Sequence, residues 1–206
     1  MSPAQQKPYL MSFGVGGLWV NESLVVARLH VEGEPWDQTM LRALEQGAGS
    51  LPKVASNRRT LREISNRLGQ LTSEERRFML QEADRTDQLA LLWLAMCRTY
   101  RFVGEFAVEV IRDRYLSYQF DLPLEAFDIL FDSKAEWDEG LAKLSESTRK
   151  KLRQVLFRIM REAEILSGNG RIQTAILSPR LKVLLEESNP GELAYFPGIP
   201  LMERNP

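Results

Sequence analysis

Apolar residues recur at three- and four-residue intervals along most of this chain, which is the period of helices with one buried face. Leu18–Val31 reads as a first helix that runs out before Gly33. Pro35–Gln46 reads as a second, with Pro35 suited to a first turn and Gly47 and Gly49 as stops. Ser56 is the expected cap of a third helix reaching Leu68, and Thr72-Ser73-Glu74-Glu75 has the spacing of a capping box. Asp84–Tyr100 is apolar almost all round, the signature of a central buried helix. Val103–Tyr118 and Pro123–Glu139 follow, the latter with Phe127, Leu130, Phe131 and Trp137 on its apolar face; Ser147–Leu166 comes after a break at Gly140–Ser145. In the tail, Gly168-Asn169-Gly170 is a turn and Ser178–Glu187 a last helix, while Arg171–Leu177 and Leu193–Ile199 read as two short strands of a small wing. There is no βαβ alternation. The expected fold is all-α, a compact multi-helix globule with two helix-turn-helix-like units and a small C-terminal β wing. Its expected parts are a flexible arm (1–12), an N-terminal lobe with the first unit (13–102), a C-terminal lobe with the second (103–188) and a Pro/Gly-containing tail (189–206).

Charge changes this picture through its distribution. The 206 residues are 44% hydrophobic and 27% charged with a net charge of −1, so the total points to no partner class. From Glu105 to Glu146, however, eleven acidic residues stand against four basic ones, and from Ser147 to Lys182 nine basic against two acidic. The sharpest expression is Ser147–Leu166. On a helix its Leu152, Val155, Leu156, Ile159, Met160 and Ala163 face one way, and Lys150, Lys151, Gln154, Arg158 and Arg161 the other, with Arg149 and Arg153 on a flank. A core-facing stripe backed by lysine and arginine suits a helix pressed against a polyanion. The opposing expectation is that the acidic and basic blocks neutralise each other within the fold.

Two helix pairs have the order of a helix-turn-helix, in which the second helix enters the major groove. Pro35–Gln46 would support Ser56–Leu68, whose Leu61, Ile64, Ser65 and Leu68 face inward while Arg58, Arg59, Arg62 and Asn66 face elsewhere. Arginine reads guanine and asparagine reads adenine, and both bind phosphate. Pro123–Glu139 would likewise support Ser147–Leu166, with Ser145, Ser147 and Thr148 at the helix start, where backbone N–H groups meet a phosphate.

Other chemistry finds less support. Phe13-Gly14-Val15-Gly16-Gly17 lacks the Gly-Lys-Ser/Thr ending of a P-loop and reads as a glycine turn packing the arm onto the core. Asp128, Asp132 and Lys134 have an acid-x-Lys spacing known from metal nucleases, but on a helix rather than on strand edges. His30 is the one histidine and Cys97 the one cysteine, so no metal set, catalytic triad or internal disulfide is expected. The longest apolar run, residues 89–97, is half of a membrane span, and no signal pattern opens the chain, which together with the single cysteine favours the cytoplasm.

Several short motifs in order resemble the BrxA family of BREX (bacteriophage exclusion) systems. They are Ser12-Phe13…Gly16-Gly17-Leu18…Glu22-Ser23, Ser56-Asn57-Arg58-Arg59…Arg62-Glu63…Arg67-Leu68, Leu92 to Phe102, Glu105-Phe106…Glu109-Val110, Phe131…Lys134…Trp137 and Ser147-Thr148…Lys151 to Phe157. The resemblance runs from about residue 10 to residue 185. It implies a mostly helical, cytoplasmic, non-enzymatic accessory protein of a bacterial defence locus that binds double-stranded DNA, among neighbours that include a methyltransferase, an ATPase and a phosphatase-like protein. Carried over by position, it makes Arg58, Arg59, Arg62, Asn66 and Arg67, with Arg149, Lys150, Lys151, Arg153, Arg158 and Arg161, the DNA-binding candidates. No cofactor, metal, small-molecule substrate or membrane is expected. The alternative is a scaffold whose basic face docks an acidic partner among the other BREX components.

Overall fold

The helical period is realised along almost the whole chain. The structure, a computed structural model, describes residues 8–14, 16–47 and 54–200. After a 3-10 turn at Ser12–Gly14 come α1 (Val20–Leu29), α2 (Trp36–Glu45), α3 (Val54–Leu68), α4 (Ser73–Gln81) and α5 (Arg85–Thr99). α6 (Arg101–Glu105) continues through a π-helical segment, Phe106–Arg112, into α7 (Asp113–Leu116). α8 (Glu125–Ala135), a one-turn α9 (Glu139–Ala142), α10 (Glu146–Glu162) and α11 (Pro179–Ser188) follow, and a second 3-10 segment covers Pro190–Tyr195. The fold is all-α.

α5 is a central buried helix on which α1, α3, α4, α6 and the Pro190–Tyr195 segment pack. Every residue from Leu89 to Cys97 is buried, so the helix has no polar face to show. Beside it, Phe106 of the π-helical segment lies against Phe127 of α8 and Phe157 of α10, with ring centroids 6.3 and 6.4 Å away. That aromatic contact holds α8 and α10 over the same stretch of backbone. α3 packs on α1, α2 and α5, burying Leu61, Ile64 and Leu68 completely. One apolar core takes residues from both halves of the chain.

Local side chains set most helix starts. At Thr72 the expected capping box is present: Glu75 N–H donates to the Thr72 hydroxyl at 3.1 Å and Thr72 N–H to the Glu75 carboxylate at 2.7 Å. Asp84, Asp138, Ser145 and Ser178 cap α5, α9, α10 and α11 in the same sense.

Where the elements depart from the pattern, local chemistry explains the difference. α3 starts at Val54, so Ser56 sits inside its first turn and does not cap it. Pro35 is the N-cap of α2, with extended backbone, and stands just outside the first turn. The helix expected over Pro123–Glu139 divides, because the Asp138 carboxylate accepts the Leu141 N–H at 2.8 Å and starts α9 instead. The wing reduces to isolated bridges, Asp121 with Arg171 and Leu166 with Ile172. Pro190, Pro197 and Pro200 offer no N–H for a ladder, and Gly198 takes φ +82°; one bond, Ala175 N–H to Pro197 C=O at 2.8 Å, ties the two segments. Of the expected arm, residues 1–7 lie outside the described residues. Tyr9 is fastened by its hydroxyl to Glu105 (2.5 Å) and by its ring to Arg101, whose guanidinium carbon is 4.3 Å from the centroid.

α10 ends at Glu162, four residues before the pattern does, in a Schellman turn. Ile165 N–H bonds Met160 C=O and Glu164 N–H bonds Arg161 C=O, with Glu164 left-handed at φ 58°. A glycine takes that conformation without the Cβ penalty that glutamate bears. Glu164→Gly is therefore expected to raise the unfolding free energy by about 1 kcal/mol, read from the midpoint of a urea denaturation curve. An unchanged or lowered midpoint counts against the assignment.

Candidate nucleic-acid interface

The outer face of α3 carries Arg58, Arg59, Arg62 and Asn66, all exposed, within an arc of about 100° at 3.6 residues per turn. Among the described residues none of these three arginines has an ion pair. Arg67 is different, and as a DNA contact it is set aside. Only 4% of its side chain is exposed, its Nε donates to the Glu63 carboxylate at 3.0 Å, and its guanidinium carbon lies 5.0 Å from the Trp19 ring centroid. Periodicity hides this because Arg67 stands on the inward flank of the helix, next to Leu68. The neighbouring Tyr100 hydroxyl also donates to Glu63, and burial together with that carboxylate pushes the phenol well above its ordinary range.

On α10 the same separation holds. Lys150, Lys151, Gln154, Arg158 and Arg161 are exposed within another arc of about 100°, while Leu152, Val155, Leu156, Ile159 and Met160 are buried. Lys150 meets Glu146 at 2.7 Å in a highly exposed i,i+4 pair, an arrangement that adds little and yields readily to a stronger anion. Arg149 and Arg153 are committed inward. Arg149 Nε donates to Asp128 at 2.8 Å and its Nη1 to Asp132 at 2.5 Å, its guanidinium carbon lies 4.7 Å from the Phe131 centroid, and Arg153 pairs with the same Asp128. The hydrogen bond from Arg149 holds the Asp132 carboxyl below its usual range. The acidic block thus neutralises one flank of α10 and leaves the outer face free, so each of the two opposed charge expectations describes half of the helix.

The remaining acid-base candidates are accounted for by packing. Lys134 is shared between Glu105 (3.1 Å) and Glu109 (2.8 Å), apart from the Asp128–Asp132 pair. Among the described residues no group of three His, Cys, Asp or Glu side chains is placed to hold a metal ion. His30 stacks flat on Trp36 at 3.9 Å and bonds the Thr39 hydroxyl at 2.7 Å, a packed side chain with a lowered pKa caused first by burial.

The two basic helices meet at a single peptide unit. Gly17 C=O accepts from Arg67 Nη1 at 2.9 Å, and the Leu18 N–H of that same peptide donates to the Glu162 carboxylate at 2.5 Å. In a trans peptide these two groups point in opposite directions, so the last turns of α3 and α10 flank one plane. A Cβ on Gly17 would stand 2.7 Å from Glu162 Oε2, so a larger residue there would push that carboxylate aside. The amide that a phosphate would have used is filled by the chain's own carboxylate. Sequence reasoning missed this junction; its one trace was an acidic residue, Glu162, closing an otherwise basic face. From the junction Arg62 lies roughly 7.5 Å back along α3 and Arg158 roughly 6 Å back along α10, taking 1.5 Å per residue. The C-terminal turns of the two helices are therefore fastened to one peptide.

A family model described as BrxA matches residues 7–189 of the chain. The chain belongs to the BrxA family. Among relatives, the BREX protein BrxA of Paramagnetospirillum magneticum (strain ATCC 700264 / AMB-1) is 22% identical over 183 residues, covering 88% of this chain and 92% of its own. The BREX protein BrxA of Bacillus cereus (strain H3081.97) is 30% identical over 92 residues, 43% of this chain and 46% of its own. The crystal structure of an uncharacterized protein from Magnetospirillum magneticum shares the fold of this BrxA-family chain, with a TM-score of 0.75, 23% identity, and coverage of 92% of this chain and 97% of that one. In the BrxA-family chain no helix among the described residues is long and apolar enough to cross a membrane.

Proposed function

We propose that this protein is a non-enzymatic, cytoplasmic accessory factor of a BREX phage-defence system that grips duplex DNA by its phosphate backbone. The reading rests on one observation: two solvent-facing basic stripes, Arg58, Arg59 and Arg62 on α3 and Lys151, Arg158 and Arg161 on α10, lack carboxylate partners among the described residues, while other arginines nearby are paired. In a chain with a net charge near zero, these six cations gather on two helix faces, which favours an anion there. Family membership and the names of the BrxA relatives support the defence role. Lys150 joins the grip when DNA displaces Glu146, and Asn66 is the one candidate for a base contact on the α3 face.

Phosphate gripping releases counterions, so affinity for labelled duplex is expected to fall linearly in log–log form with salt, with a slope set by about 0.9 per phosphate engaged. Five to seven contacts give a slope between roughly −4.5 and −6. Duplexes of unrelated sequence should bind within a few-fold of one another. Absence of binding at low salt, or binding indifferent to salt, sinks the reading and leaves the basic stripes to an acidic protein partner.

A further inference from the structure

The helix that restrains α10 has an unexplained surface of its own. Ile129 is 71% exposed and Trp137 87% exposed. Helical spacing puts Trp137 with Phe127, Leu130 and Phe131 on the buried side, and those three are buried. But α8 stops at Ala135, and the turn that follows, in which Trp137 N–H bonds Lys134 C=O at 3.2 Å, swings the indole into solvent. Nothing described in the fold packs against it. Ile129 on α8 and Trp137 in the turn after it are large apolar side chains left to solvent, and tryptophan is among the residues most enriched at binding hot spots.

Charge decides what covers them. Between Asp121 and Glu139 there are seven acidic residues and one lysine, and that lysine, Lys134, is held by Glu105 and Glu109. Glu125 on α8 and Glu136 just past its end are exposed, and among the described residues neither has an ion pair, whereas Asp132 is held by Arg149. DNA and anionic lipid are repelled from such a surface. We propose that the outer face of α8, together with Trp137, docks a basic amphipathic helix of a partner protein. Its apolar stripe covers Ile129 and Trp137, and its Lys and Arg side chains pair with Glu125 and Glu136. This inference stands on residues separate from those of the DNA reading, and either can fail alone.

A fluorescein-labelled Lys/Leu peptide of roughly five helical turns, with leucines at helical spacing, serves as the probe. Anisotropy is measured with the full-length protein, beside a peptide of equal composition whose leucines are scattered round the helix. The amphipathic peptide should bind saturably and more tightly than the scattered one. Ile129→Ser/Trp137→Ser should weaken it about tenfold or more, with unchanged circular dichroism because both side chains are exposed, and with DNA affinity unaltered. Glu125→Lys/Glu136→Lys should weaken it as well. Equal binding of the two peptides, or full binding by the Ser double variant, overturns the proposal. So does sedimentation showing a dimer that this double variant dissolves, since a second copy would then be the occupant.

Discussion

Arg67→Ala is expected to lower the unfolding free energy by about 3–5 kcal/mol, the usual cost of leaving one member of a buried ion pair without its partner. The Glu63 carboxylate, 8% exposed, keeps only the Tyr100 hydroxyl, Gly17 C=O loses its donor, and the Trp19 ring loses the cation above it. An outward arginine two turns earlier, Arg59, should change stability by no more than about 0.5 kcal/mol on the same substitution. Urea unfolding of both variants beside the parent protein measures the contrast. If Arg67→Ala proves as mild as Arg59→Ala, the residue is not the internal strut described here and returns to the list of surface cations.

Lys151→Glu/Arg158→Glu/Arg161→Glu should abolish duplex binding at moderate salt, and at low salt should leave a slope shallower by roughly three. All three positions are exposed and lie off the apolar stripe of α10, so the melting temperature should move by only a few degrees. Arg149→Gln is the informative companion. Its guanidinium already belongs to Asp128 and Asp132, so it should cost stability while DNA affinity changes by less than about threefold. If the triple variant binds as the parent does, or Arg149→Gln is the more damaging to binding, the division of α10 into an outward and an inward flank is wrong.

Helix content and the faces of α3 and α10 were legible in the sequence because period, caps and charge agreed there. Thr72–Glu75 marks the start of α4 by side-chain chemistry that acts over three residues. What stayed hidden depends on distance. No local pattern distinguishes Arg67 from Arg62, since burial is decided by Glu63, Tyr100 and Gly17, the last fifty positions away. Arg149 and Arg153 looked like their neighbours on the basic helix until Asp128 and Asp132 were placed opposite them. Trp137 fitted a buried period that was cut short by a cap, Asp138, three positions after the end of α8. The wing failed for a local reason, the prolines and the left-handed Gly198, which a stricter reading of strand chemistry would have weighted more.

The peptide between Gly17 and Leu18 sets a condition on when the protein becomes competent. It ties Leu18 to the end of α10 across 144 positions of chain, through a bond that closes only after Glu162 has been made. A nascent chain stopped before α10 has the α3 arginines but neither the cations of α10 nor the carboxylate that fastens the Leu18 N–H. On the proposed reading such a product carries one of the two basic stripes, and the second waits on the synthesis of α10.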